Sequence, residues 1–450
     1  MDTVLKRAFV GFLLVAACTE FAPRDELEDV GVDTFDAGDA GFDAFDAGCT
    51  DPPIGECPPL CLRERVVVGV FNDLVGGRVV NLNAQWTCDN LYVLDGETYL
   101  EGDTVITIRP GTIIEGTAGA ALVATADARV EALGTAEAPI VMRSETSARW
   151  RGLYLLGRAP VSVGEGETTD RVERLQQDRA EYGGTDPSHD CGTLNYVRIE
   201  NGSEAAGGAE AESLFLGGCG DATEIDFVHV DQSRHDAIQI NGGGFAVRHV
   251  VLSLGREDGV QWDLGWNGTL QYVVAHMTAT SESALQAESP IDSSVRRSNV
   301  VVANMTTIGS TSNDHAVNLN GSALLLGNSI FVGYNEIMER EDRHTREFGL
   351  IDVDVRNNII SPRLDEYFDN AEVDRAFAPP MNGNEATDPM LPSTGTDEIL
   401  GRSPSWRPGG TAATTVQGAL PDSVDPTDYS GAIDPDPDVP EWTEGWTVFR

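Results

Sequence analysis

Ala237-Ile238-Gln239-Ile240 opens a short pattern that recurs through the second half of the chain: a small residue, then apolar, amide or acid, apolar. It returns as Gly259-Val260-Gln261-Trp262, Ala284-Leu285-Gln286-Ala287 and Ala316-Val317-Asn318-Leu319, and is read a last time in Leu350-Ile351-Asp352-Val353. The central polar positions stand 22, 25, 32 and 34 residues apart, a spacing typical of solenoid repeats. A companion strand repeats alongside: Val197 and Ile199, Val228 and Val230, Val250 and Leu252, Val273 and Ala275, Val300 and Val302, Ile330 and Val332, with Ile359 closing the series. Alternation puts such pairs on one inward face. Two strands per repeat with no 3.6-residue period between them predicts an all-β chain. The architecture it fits is a parallel β-solenoid of about a dozen turns, each turn's apolar strip covered only by its neighbours. The stretch 171–181 is charged and reads as a loop or short helix inserted at a turn. Asn299, Asn328 and Asn357 stand 29 residues apart at strand starts and predict a ladder of stacked amides, or ordinary turn chemistry.

The ends set the address. Lys6 and Arg7 precede an apolar run, 8–17, which is too short to cross a bilayer as a helix. The run ends in Ala16-Ala17-Cys18, so residues 1–18 read as a lipoprotein signal with Cys18 as the lipidated residue. Residues 19–50 repeat Asp, Ala and Gly with isolated phenylalanines and form a disordered acidic tether. A cysteine-containing N-terminal cap follows at 51–80, the β-helix at 81–400 and a C-terminal cap or tail at 401–450. This places the chain outside the cytoplasm, anchored by lipid to the outer membrane, facing the periplasm or the cell surface.

Six further cysteines, Cys49, Cys57, Cys61, Cys88, Cys191 and Cys219, suit disulfides in an exported chain. Cys191 and Cys219 lie about one turn apart, each just before a strand, and form the preferred pair. The cluster Cys49, Cys57 and Cys61 has no paired CxxC and no nearby histidine, which favours disulfides over zinc. With 73 acids against 30 bases the formal charge is −43, which excludes nucleic-acid binding through clustered cations.

Asp236 and Asp258 share a register, 22 residues apart, with His235 and Glu257 just before them and His315 in the same column. One turn apart, the two carboxylates would share a proton, bind a cation such as calcium, or splay into water. Trp262 aligns with Ile240 and belongs to the core. Trp266, in the turn Gly265-Trp266-Asn267-Gly268, reads as the exposed aromatic of a sugar-stacking surface. His229, between inward Val228 and Val230, reads as an exposed strand residue.

Several segments resemble a family of exported bacterial β-helix proteins, many of them predicted lipoproteins without an assigned activity. They are 86–96, 102–116 with Pro110-Gly111-Thr112, 132–140, Trp150-Arg151-Gly152-Leu153, Tyr182-Gly183-Gly184, 192–200, Tyr429-Ser430-Gly431 and Trp442-Thr443-Glu444-Gly445-Trp446. The resemblance runs from about residue 80 to the C-terminus and implies a right-handed, single-stranded parallel β-helix. Asp236, Asp258, Trp262, Asp263, Gly265 and Trp266 match that family's pattern, whereas Gln239 and Gln261 replace its acids by amides. The family offers no catalytic residues to transfer and no cofactor.

Function is expected to be structural or binding, through adhesion, a glycan, a cation or another surface protein. The candidate surface is Asp236, Asp258, Asp263 and Trp266. A polysaccharide-degrading enzyme, a lyase or glycoside hydrolase, is the alternative: Asp258, Asp263, Asp352 and Asp354 are acids of the required type. No HExxH, GxSxG or phosphate-binding loop is present, so the expectation is a chain without catalytic residues.

Overall fold

The structure is a computed structural model. It describes residues 56–449 except 72–76, 165, 177, 290–295, 311, 314, 341–351, 363, 365–366, 369–370, 396–398, 403, 410–415 and 417–418. The signal with Cys18, the tether and Cys49 lie outside the described residues.

Chain alternation between two long sheets, one of 17 strands and one of 11, builds the molecule. The first sheet contains Gly192–Glu200, Glu224–Asp231, Ala246–Ser253, Thr269–His276 and Asn299–Ile308. The second contains Leu214–Gly217, Ile238–Asn241, Val260–Asp263, Leu285–Glu288, His315–Asn320 and Glu336–Arg340. Rungs stack in parallel register, each giving the second sheet one strand and the first sheet either one long strand or two short ones, which is the expected parallel β-helix. One continuous apolar core lies between the sheets, with Val228, Ile240, Val250, Val260, Trp262 and Leu285 among its members.

Register confirms most of the repeat. Gln239 lies over Gln261, Gln261 over Gln286, and Gln286 over Asn318. The last copy is different: Asn318 pairs with Glu339, while Val353–Arg356, the strand beside Asp352, belongs to the first sheet on Ala323–Gly327. The companion series also slips towards its end. Val302 points inward but over Leu270, and Met305 takes the place above Val273. Ile330 and Ile359 leave the main core and pack with Val332 and Leu391, while Phe331 and Ile360 turn inward. A one-residue shift sends every side chain of a strand to the opposite face.

Each long strand of the first sheet bends at one residue. Tyr196, Phe227, His249, Tyr272, Asn304, Asn328 and Asn357 all have positive φ and fall in one column. Four rings stack with centroids 4.3, 4.3 and 4.7 Å apart, and asparagines, which tolerate left-handed backbone, continue the column. Asn357 Nδ2 donates to Asn328 Oδ1 at 3.1 Å, one bond of the expected ladder, while Asn304 in the same column donates to the carbonyls of Tyr429 and Gly431. Asn299 pairs instead with Ala323.

Two segments cover the outside of the helix. The stretch 171–181 is an inserted loop, as expected, and it is carried by a hairpin, Thr169–Arg171 against Glu181–Gly183. It buries Tyr99, Tyr154 and Phe215 of the second sheet beneath Val172, Leu175 and Tyr182. The C-terminal segment runs along the flank of the first sheet: Asp425 exchanges two hydrogen bonds with the Gln271 amide, 2.8 and 2.9 Å. Gly431 N–H donates to Asn328 O at 2.8 Å, and Arg198 donates to Trp446 O at 3.3 Å. Trp406, Trp446 and Phe449 join outward Val251 and Val274 in a second apolar cluster. His229 does face outward, but this segment buries it completely, and burial pushes its pKa down to about 3.

Cys191–Cys219 is a disulfide, as expected, and Cys57–Cys88 is another. Cys61 is also disulfide-bonded.

The C-terminal segment is therefore part of the core rather than a loose tail. Trp446→Ala is expected to cost about 3–5 kcal/mol, read by urea unfolding; a loss below ~1 kcal/mol would show that the segment does not seal the sheet.

Candidate functional site

The outer face of the second sheet changes character along its length. One outward column runs Tyr99, Val123, Tyr154, Phe215, Gln239, Gln261, Gln286, Asn318, Glu339. Its first members lie under the hairpin, and the polar ones follow where the hairpin stops. Two residues further along each strand stand Asn241, Asp263, Glu288 and Asn320, also stacked. A cleft of about 320 Å³ opens at this boundary, walled by Asp170, Tyr182, Glu210 and Glu212 and floored by Gln239 and Gln261.

Hydrogen bonds tie the wall to the floor. Tyr182 donates to Asp170 Oδ2 at 2.9 Å and accepts from Asn241 Nδ2 at 2.9 Å. Gln239 Nε2 donates to Asn241 Oδ1 at 2.6 Å. Glu288 accepts from two amides, Gln261 Nε2 at 3.0 Å and Gln286 Nε2 at 3.1 Å. In Asp263, one rung below Glu288, burial, reinforced by Glu288 and Asp170, pushes the pKa up to about 6 against the Leu264 N–H that it accepts. Arg151 is buried in the wall and donates to Tyr154 Oη at 3.0 Å and to the carbonyls of Arg174 and Glu173. Tyr154 in turn donates to Glu212 Oε2 at 3.0 Å.

The expected surface residues meet different fates. Asp263 lies on the polar face. Asp236 and Asp258 sit at the turns entering the strands, where each carboxylate accepts the N–H of the next rung: Asp258 N–H to Asp236 Oδ1 at 3.1 Å, Ser283 N–H to Asp258 Oδ1 at 2.8 Å. That is a structural task, and neither acid belongs to a convergent set of three metal-binding side chains among the described residues. Trp266 is fully buried, packed edge-on against Trp262 at 5.8 Å and near Phe245. Gly265, at φ +83°, permits the turn that tucks the indole inward, so Trp266 forms no sugar platform. Trp262 is buried as expected and donates to Ser322 Oγ. Asp352 and Asp354 are paired with Arg297 and Arg356. Glu288 and Asn241 were legible in principle, since each follows its glutamine by two residues as Asp263 does. Asp170, from an insertion outside the repeat, carried no signal, and Tyr182 was marked only by the family resemblance of Tyr182-Gly183-Gly184.

A polar, loop-walled cleft on the sheet face of a parallel β-helix defines the class. The chain belongs to the pectate-lyase-like β-helix domain family, whose model matches residues 77–379. No curated protein matches it. Among solved structures, the A-module of a mannuronan C-5 epimerase of Azotobacter vinelandii is similar at 13% identity. The match covers 64% of this chain and 92% of that one with a TM-score of 0.18, too remote to carry a role across.

Burial pushes the pKa of Asp236 up to about 8, aided by Asp258, and that of Asp258 up to about 7. Both exceed the ordinary 3.8 of the unfolded chain, so the fold favours their neutral forms. The stabilisation is complete below about pH 4 and lost as pH rises through the folded values. The melting temperature should accordingly fall between about pH 6 and 9, and Asp236→Asn should flatten that slope; an unchanged slope in the variant would refute the assignment.

Proposed function

We propose that this is an exported, lipid-anchored β-helix protein that binds a neutral, hydroxyl-rich glycan on the bare face of its second sheet. The observation that carries the proposal is the pair of stacked polar columns leading out of the hairpin-walled cleft. Stacked Gln and Asn side chains offer donors and acceptors at every rung, the requirement for a polymer with hydroxyls on every unit. Membership of the pectate-lyase-like family supports a carbohydrate connection only in this coarse sense. Charge narrows the ligand: the face carries Asp263, Glu288 and Glu339 within a chain of net charge −43, which repels polyanions. The disulfides Cys57–Cys88 and Cys191–Cys219 support an oxidising compartment, and the lipobox at Cys18 supports attachment to the membrane.

Gln261→Ala with Gln286→Ala removes several hydrogen-bond donors and acceptors. It is expected to weaken binding of a neutral oligosaccharide by ~10-fold or more, since each lost bond is worth about 1 kcal/mol. The comparison is made by calorimetry on the full chain, with polygalacturonate as the anionic competitor. Stronger binding of polygalacturonate than of any neutral glycan would overturn the proposal.

One observation favours a hydrolytic second reading. Asp263 and Glu288 occupy adjacent rungs, about 5 Å apart by strand spacing, and burial drives Asp263 towards its protonated form. Such a pair has the make-up of a glycosidase acid and a second carboxylate. Release of new reducing ends that disappears in both Asp263→Asn and Glu288→Gln would support it; release that survives in either variant would exclude this pair.

A further inference from the structure

At the rim of the cleft, three side chains converge from three separate segments. His235 stands at the turn before Ile238–Asn241, Glu257 stands at the same register one rung on, and Glu210 belongs to the short strand Ala209–Glu210. One potential ligand atom of each lies within 4.8 Å of the others. His235 Nδ1 is 2.8 Å from Glu257 Oε1, and its other ring nitrogen, Nε2, is buried with no hydrogen-bond partner. The imidazole therefore keeps ligating capacity that the fold leaves unused, and a buried polar atom without a partner is costly.

The scaffold holds this histidine in place. Its backbone N–H donates to Ser203 Oγ at 2.7 Å, and Ser203 is itself fully buried and bonded to Ser233 Oγ at 2.9 Å. The cation beside it in the chain, Arg234, is committed to Glu204 at 2.7 Å. Glu212 lines the same cleft as Glu210 and brings no positive partner to these turns.

From this convergence we propose that Glu210, His235 and Glu257 form a binding site for a divalent transition metal of the zinc type. One imidazole nitrogen with two carboxylate oxygens suits zinc better than calcium, which prefers an all-oxygen shell. Three protein ligands leave a coordination position for water or a ligand. None of its three ligands belongs to the stacked amide columns, but Glu210 also walls the cleft, so His235→Ala and Glu257→Gln are the variants that separate zinc from glycan binding.

His315 provides an internal control. It lies one position along, in the column of Asp236 and Asp258, with Nδ1 3.1 Å from Glu339 Oε2, yet no third donor joins that pair among the described residues. The test is calorimetric titration of the full chain, first stripped with a chelator, with zinc and then calcium. Saturation at one zinc per chain is expected, with His235→Ala and Glu257→Gln each weakening it ~10-fold or more, and His315→Ala unchanged. Should circular dichroism show His235→Ala unfolded, Glu210→Gln decides, on an exposed residue of the short strand Ala209–Glu210 that pairs with Glu204–Ala205, with a loss of ~10-fold expected. No saturable zinc binding by the wild type would overturn the proposal. Wild-type affinity in Glu210→Gln, or a loss in His315→Ala equal to that in His235→Ala, would overturn it too. Loss of zinc with glycan binding intact, or the converse, separates this site from the amide face.

Discussion

In-register stacking of parallel rungs is the constraint on which everything else in this molecule depends. Backbone pairing sets each residue over its counterpart one turn on, about 5 Å away, so a side chain is always part of a column. What the column contains then decides what it can do. Aliphatic columns become core. Rings at the bend, Tyr196, Phe227, His249 and Tyr272, stack face to face. Amides bond to one another, as Asn357 does to Asn328. Carboxylates gain nothing from stacking on their own kind, and the fold separates them or gives them other partners. Glu288 is flanked by Gln261 and Gln286, while Asp236 and Asp258 turn to the amides of the following rung.

Covering is the second determinant. A β-helix has two outward sheet faces, and a lateral segment converts whichever stretch it covers into core. The hairpin at 169–183 does this to the early rungs of the second sheet, where Tyr99, Tyr154 and Phe215 fill the outward column. The C-terminal segment does it to the first sheet, where Val251, Val274 and Ile308 stand outward beneath Trp446 and Trp406. The later rungs of the second sheet keep a polar outward column, as the early strands of the first sheet do in Gln85, Thr107, Glu131, Thr193 and Glu224, and the cleft forms where covered and bare stretches of the second sheet meet. Its place is set by the end of the hairpin as much as by the repeat.

Sequence legibility follows from these two facts. Period-two alternation identified the strands and aligned Gln239, Gln261, Gln286 and Asn318, because those rungs have one dry face and one wet one. Alternation vanishes where both faces are covered, and the misreadings fall there or where the two sheets look alike. Ile330 and Ile359 were read as inward because an apolar outer face under the C-terminal segment has the same composition as the core. His229 was read as exposed for the converse reason. Asp352 was read into the repeat because strands of either sheet carry the same alternation, and only pairing tells them apart. Trp266 follows a glycine and precedes Asn267 and Gly268, a composition that belongs to an exposed turn; its burial depends on a backbone reversal at Gly265 that composition does not encode.

Membership of a family with a lyase-like name says little about what this face recognises, because function resides in the site rather than the fold. A polyuronate needs cations placed along the groove. The folded part of this chain contains no lysine, and its cations are arginines. Of the arginines that line the cleft, Arg151 is engaged with Tyr154 and two carbonyls and Arg171 with Glu181, while Arg174 stands exposed on the wall and off both columns. Neither stacked column contains an arginine, and releasing one from its carboxylate to meet a polyanion would leave that carboxylate beside the new negative charge. Amides face no such conflict. They accept and donate without changing the charge of the groove, so a column of them tolerates a neutral chain at any rung and discriminates by hydrogen-bond register alone.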